Sequence, residues 1–198
     1  MEQLNLVKRC QNGDKQAFEE LYHLYSAQAL KTAYLISGHR GVAEDIVQEA
    51  FIQCYKEIKQ LKEPGAFYAW FYKVLLRCGW RMMAKYQNKN SLTVFLGNYE
   101  AADGNFYVDD WVEAREVYDL VVKALRKLKA PLRAAVILYY YNNMTIAEIA
   151  RVLGCVQGTV KSRLHNAKKA LEKELRQYFQ DVQPLIGREK QKEQIANG

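Results

Sequence analysis

TIAEIARVLGCVQGTVKSRLHNAKKAL, residues 145–171, falls into two helical halves around Gly154. Thr145 is followed three residues later by Glu148, the spacing at which each side chain satisfies the other's free backbone N–H at a helix start. Ile146, Ile149, Ala150 and Leu153 give this helix an apolar face. Gly154 stands where a left-handed residue ends it, a conformation glycine takes without strain. A second helix then carries Val160, Leu164, Ala167 and Leu171 on its inner side. Gln157, Lys161, Ser162, His165, Asn166, Lys168 and Lys169 fall mostly on the other side, which has no acid before Glu172. A solvated helix face usually mixes both signs. Cations suit phosphates, and Gln, Asn, Ser and His can hydrogen-bond base edges. The pattern therefore favours a DNA-reading helix-turn-helix over a packing hairpin.

The surrounding composition agrees. The chain has 198 residues, 49% of them hydrophobic and 26% charged, with only three prolines, which favours long uninterrupted helices. Net charge is +7 and the pI is about 9.1, a balance suited to polyanionic partners. Cys10, Cys54, Cys78 and Cys155 are far apart, with no paired spacing and no histidine at ligand distance in sequence. They are expected to be free thiols in a reducing compartment rather than a metal site or a disulfide framework. His23 and His39 read as surface or satisfied histidines. The N-terminus lacks a signal-peptide layout, and no apolar run approaches the ~18 residues of a membrane span. The expected localisation is cytoplasmic.

Two helical blocks flank a poorly periodic one, and no strand is expected. The fold class is all-α: two small helical domains joined by a linker, the C-terminal one containing the helix-turn-helix. The first domain covers 1–86, the linker 87–110, the second domain 111–180 and a polar tail, expected to fray, 181–198. In the first block, turns at Asn12–Asp14, Gly38–Gly41 and Lys62–Gly65 separate helical patterns. Val42, Ile46, Val47, Ala50, Phe51, Cys54, Tyr55, Ile58 and Leu61 form a long apolar stripe, opposite Glu44, Asp45, Gln48, Glu49, Gln53 and Glu57. The next helix interleaves Phe67, Tyr68, Trp70, Phe71, Tyr72 and Trp80 with Lys73, Arg77, Arg81 and Lys85. Rings on which bases stack, beside cations that follow a backbone, make a single-strand surface; core packing of Trp70 and Phe71 fits the pattern equally well. The linker carries Phe95, Tyr99, Phe106 and Tyr107, which suits a segment lying on a surface. In the second block, Pro131 opens a helix at a position where its missing N–H costs nothing. The run Tyr139–Tyr141 fits core, partner surface or both.

Four segments in order resemble an extracytoplasmic-function sigma factor of bacterial RNA polymerase. They are GDKQAFEELYHLY, AEDIVQEAFIQCYKEI, FYAWFYKVLLR and the stretch from Leu128 to Leu171, and the likeness covers roughly residues 11–175. The resemblance implies a promoter-specificity subunit. Its first domain docks on the clamp coiled coil of the largest polymerase subunit through Glu44, Asp45, Gln48 and Glu49. The resemblance also implies capture of the single-stranded −10 element by Lys62, Phe67, Tyr68, Trp70, Lys73, Arg77 and Arg81. Duplex −35 DNA falls to Gln157, Thr159, Lys161, Ser162, Arg163, His165, Asn166, Lys168 and Lys169. It implies control by an anti-sigma partner, often membrane-bound, and neither cofactor nor small-molecule substrate. Where the family usually has Asn and Asp, this chain has Arg77 and Arg81, so the −10 base preference does not carry over. A one-component helix-turn-helix repressor or activator is the alternative. An enzyme is not expected, since the sequence offers no phosphate loop, Ser/His/Asp arrangement or metal cluster.

Overall fold

The computed structural model describes residues 2–89 and 112–196, with side chains placed for 3–85 and 120–176. Every regular element among them is helical. The expected linker aromatics at 95, 99, 106 and 107, and the role given to that segment, lie outside the described residues.

Helix α1 (Glu2–Gln11) buries Leu6, Val7 and Cys10. Gly13, at φ +89°, turns the chain into α2 (Lys15–Ser37). Asp14 caps α2 by accepting from Ala17 N at 3.1 Å, and Arg9 holds Asp14 at 2.8 Å. Gln11 Nε2 donates to the carbonyls of Ile58 and Leu61, tying α1 to the turn beyond α3. Gly38 ends α2 in the left-handed region, and His39 caps α3 (Arg40–Glu57) by accepting from Val42 N. Single 3₁₀ turns, Ile58–Gln60 and Pro64–Ala66, lead into α4 (Phe67–Lys89). Phe67, Phe71 and Phe51 fill the centre of this half, with ring centroids 4.8–5.8 Å apart.

The second half comprises α5 (Val112–Lys127), α6 (Ala130–Val136), a π-helical turn (Ile137–Tyr141), α7 (Ile146–Leu153) and α8 (Gln157–Ala196). Pro131 lies in the first turn of α6. The expected frayed tail continues α8 as far as Ala196, Pro184 included. Likewise α4 runs through Lys89, three residues into the expected linker. Polar composition begins at both expected boundaries, and composition alone does not stop a helix already propagating.

The two halves share one hydrophobic core. The end of α2 shows why. Thr32 to Ser37 are buried on every side of the helix, which requires cover all round; α5, α6 and the π turn supply the second side. Gly38 lies under Arg126: a Cβ there would sit 2.7 Å from the arginine's Cδ and Nε. Helix α7 packs across α4. A polar network joins α2, α4 and the end of the π turn. Asn142 Nδ2 donates to Thr32 Oγ1 at 3.0 Å, Thr32 Oγ1 donates to the Gln28 carbonyl at 2.8 Å, and Tyr68 Oη donates to the Asn142 carbonyl at 2.9 Å. The π turn sets this up. Its extra residue per turn lets Asn142 N reach Ile137 O and turns the asparagine inward.

Candidate nucleic-acid interface

The helix-turn-helix forms as its spacing predicts. Thr145 Oγ1 accepts from Glu148 N at 3.3 Å, and Glu148 Oε2 accepts from Thr145 N at 2.8 Å. The Thr145 hydroxyl, donating to Glu148 Oε2 at 2.7 Å, and then the Thr145 N–H hold the Glu148 carboxyl below its usual range. Gly154 is left-handed at φ +62°. Val160 and Ala167 are buried, with Leu164 and Leu171 partly so, which fixes the rotation of α8. Gln157, Lys161, Ser162, His165, Asn166, Lys168 and Lys169 are exposed together along its outer side. Thr159 and Arg163 are half-buried, and Arg163 Nη1 turns back to Cys155 Sγ at 3.6 Å. Ser162 Oγ donates to the Gly158 carbonyl, one turn back. Lys168 approaches Glu172 only at 4.0 Å. An exposed face with four lysine and histidine cations or donors and two amide side chains can lie in a major groove and meet phosphates at its edges.

On α4, Lys73, Arg77, Arg81 and Lys85 recur every four residues and are all exposed. Lys62 is exposed in the preceding loop. The aromatics divide differently from the sequence reading. Phe67 is fully buried, as are Phe71 and Tyr72, so Phe67 offers no ring face to a base. A ring flanked by other rings two faces of the helix deep is core. Tyr68 is half-buried and bound to Asn142, with Gln28 Nε2 donating to its hydroxyl at 3.2 Å. Trp70 is half-buried against Phe67. Trp80, outside the expected set, is the exposed ring beside the cations, at 38% exposure. Its position three residues after Arg77 was a usable signal.

The four expected docking residues spread around the outer side of α3. Glu44 and Gln48 line an open groove of about 760 Å³ between α2 and α3. Glu44 is paired with Arg40 at 2.9 Å. Asp45 is exposed between the flanks. Glu49 faces α4 instead, where its Oε1 accepts from Arg81 Nη2 at 2.8 Å and from Gln53 Nε2 at 2.9 Å. The Gln53 bond, then Arg81, holds the Glu49 carboxyl below its usual range. Arg77 Nη2 meets Glu57 Oε2 at 3.4 Å. The groove's apolar walls include exposed Tyr22, Ile52 and Tyr55, which the sequence reading placed in the core stripe or passed over. A stripe as wide as Val42 to Leu61 was the clue, since one buried face needs fewer positions. Of the tyrosine run, Tyr139 and Tyr140 point outward and Tyr141 is half-buried. Tyr140 borders a second groove, of about 460 Å³, that reaches Leu35 of α2.

Among the described residues no helix is long and apolar enough to cross a membrane, and no three His, Cys, Asp or Glu groups gather as a metal site. Cys10, Cys54 and Cys78 are buried free thiols, and burial raises their pKa.

Residues 21–86 match the family description "Sigma-70 region 2", and residues 118–171 match "Sigma-70, region 4". The chain is 28% identical to the ECF RNA polymerase sigma factor SigW of Bacillus subtilis over 180 residues, 86% of this chain and 95% of that protein. It is also 28% identical to the ECF RNA polymerase sigma-E factor of Escherichia coli over 192 residues, 92% of this chain and 95% of that one. Two solved structures share its fold. One is CnrH in complex with the cytosolic domain of CnrY, with TM-score 0.68 and 20% identity over 87% of this chain and 96% of that one. The other is the sigma factor RpoE in complex with the anti-sigma factor NepR from Bartonella quintana, with TM-score 0.67 and 24% identity over 80% of this chain and 96% of that one.

Proposed function

The chain belongs to the sigma-70 family, and from that premise we propose how its surfaces divide the work of starting transcription. It is a sigma factor of the ECF type, a promoter-specificity subunit of RNA polymerase. Helix α8 reads duplex DNA at −35 through the exposed face from Gln157 to Lys169. The stripe Lys73, Arg77, Arg81, with Trp70, Trp80, Tyr68 and Lys62, takes the melted −10 strand. Glu44, Asp45, Gln48 and Glu49 meet a basic clamp surface of the polymerase core, with the apolar α2–α3 groove beside them. No reaction is assigned to the chain itself. The observation that carries the division is the matched pair of exposed basic helix faces, one in each half.

The same division demands movement. Elements at −35 and −10 are about 25 base pairs, roughly 85 Å of duplex, apart. Two touching halves whose radii of gyration are about 13 Å each do not reach that far. Residues 90–111 can span at most about 75 Å when extended, enough to let the halves separate. The packed form is therefore the free form, and it opens when polymerase and promoter are engaged.

An anti-sigma protein that holds the packed form is part of this reading. It is supported by a neighbour solved with an anti-sigma factor. Residence in the cytoplasm and a membrane-associated partner are the finer parts of the proposal.

Run-off transcription tests it. Core polymerase is given fragmented genomic DNA with and without the protein. Discrete new transcripts are expected, and their aligned start sites give the two promoter elements. No new transcripts, with the protein shifting duplex DNA alone, would instead indicate a one-component regulator.

A further inference from the structure

Helix α3 separates the docking groove from the strand-binding stripe, and its carboxylates fall on both flanks. Glu44 and Gln48 open on the α2 groove. Glu49, on the flank toward α4, holds Arg81 at 2.8 Å with an oxygen that Gln53 also donates to. Arg81 is 61% exposed and Glu49 28% exposed, so the pair lies at the rim and opens to solvent. A guanidinium matches a phosphate as well as a carboxylate. A cationic partner surface competes for Glu49 on the same terms.

We propose that Glu49 couples polymerase docking to capture of the −10 strand. Docking of a basic surface on α3 draws Glu49 off Arg81, and the freed guanidinium binds a phosphate of the melted strand. Coupling of this kind is reciprocal: the ion pair that docking weakens must in turn oppose docking by the same factor. Glu57 and Arg77 provide the internal comparison, a similar pair on the same two helices whose acid lies outside the docking set. The proposal rests on the assignment of α3 as the docking face.

The test measures affinity of the full-length protein for core polymerase at fixed salt, without DNA. Arg81→Gln is expected to bind roughly two- to five-fold more tightly, the range for releasing an exposed ion pair. Arg77→Gln should leave the affinity unchanged. In a Glu49→Gln background, Arg81→Gln should add nothing. Equal gains for Arg77→Gln and Arg81→Gln would reduce the effect to bulk charge and overturn the proposal. A gain that persists without Glu49, or no gain at all, would also overturn it. Glu44→Lys with Asp45→Lys isolates the premise: it should weaken core binding sharply. If it binds as the parent does, the docking face is misassigned and the coupling falls with it.

Discussion

Helices α8 and α4 both carry a row of cations, yet they are held in different states. The α8 face is open: among the described residues the ion pair its lysines make is Lys168 with Glu172, and that one is long at 4.0 Å. The α4 row is engaged. Arg77 and Arg81 are tied to α3, Tyr68 is bound to Asn142, and α7 crosses the helix. Under the proposed division of work the difference matches the two DNA forms. Duplex DNA is always present, so a preformed rigid face suits it. A melted strand exists only after polymerase has arrived, so a surface that waits in an engaged state avoids non-productive binding.

The largest effect expected from this comparison is on α8. Lys161→Ala with Asn166→Ala should lower transcription from −35-dependent promoters by at least about ten-fold, given the usual worth of specific base and phosphate contacts. Core binding should be retained. Loss of core binding would mean that the open face serves the polymerase rather than DNA.

Much of α7 and α8 was legible in sequence because local chemistry sets them. The Thr145–Glu148 box, Gly154 and the apolar spacing of Val160 and Ala167 each act within a few residues. The state of α4 was not legible. Whether Phe67 is core or a stacking platform depends on what lies beneath it, and an aromatic run reads alike in both cases. The pairing of Arg81 with Glu49 spans 32 residues and exists only because α3 packs on α4. Asn142 gave no periodic signal. It follows a tyrosine run, and only the π turn aims it into the other half.

The next prediction sharpens the contrast by loosening α4's cover. Asn142 and Thr32 are almost wholly buried. Asn142→Ala should cost about 1–3 kcal/mol by stranding buried partners. It should lower the melting temperature and give a larger radius of gyration by X-ray scattering. A stable variant of unchanged radius would show that the network does not hold the halves together.

A smaller effect is expected at Tyr72. It is fully buried, and its hydroxyl lies beside Thr32 and Tyr68 without a well-formed hydrogen bond to either. Tyr72→Phe should keep full stability or gain up to about 1 kcal/mol, since a buried orphan group is costly. A clear drop in melting temperature would reveal a partner for that hydroxyl.

The smallest effect lies at the start of α7. Glu148's pKa is lowered in the folded state by its Thr145 bonds. Its contribution is therefore present above the ordinary carboxylate value, about 4.3, and is lost as pH falls through the lowered folded value. The stability gap between the parent and Glu148→Gln should be open near neutral pH and close in acid. A gap that stays constant across that range would remove the ionised capping box from the account.

The central claim is that the packed molecule opens to work, and one distance tests it most directly. Spin labels at Lys59 and Lys173, exposed residues of the two halves, would report the separation in the free protein and in the polymerase–promoter complex. The account predicts one short, narrow distribution for the free protein and an increase on the order of 50 Å in the complex. An unchanged distance in a complex that still starts transcription would contradict it.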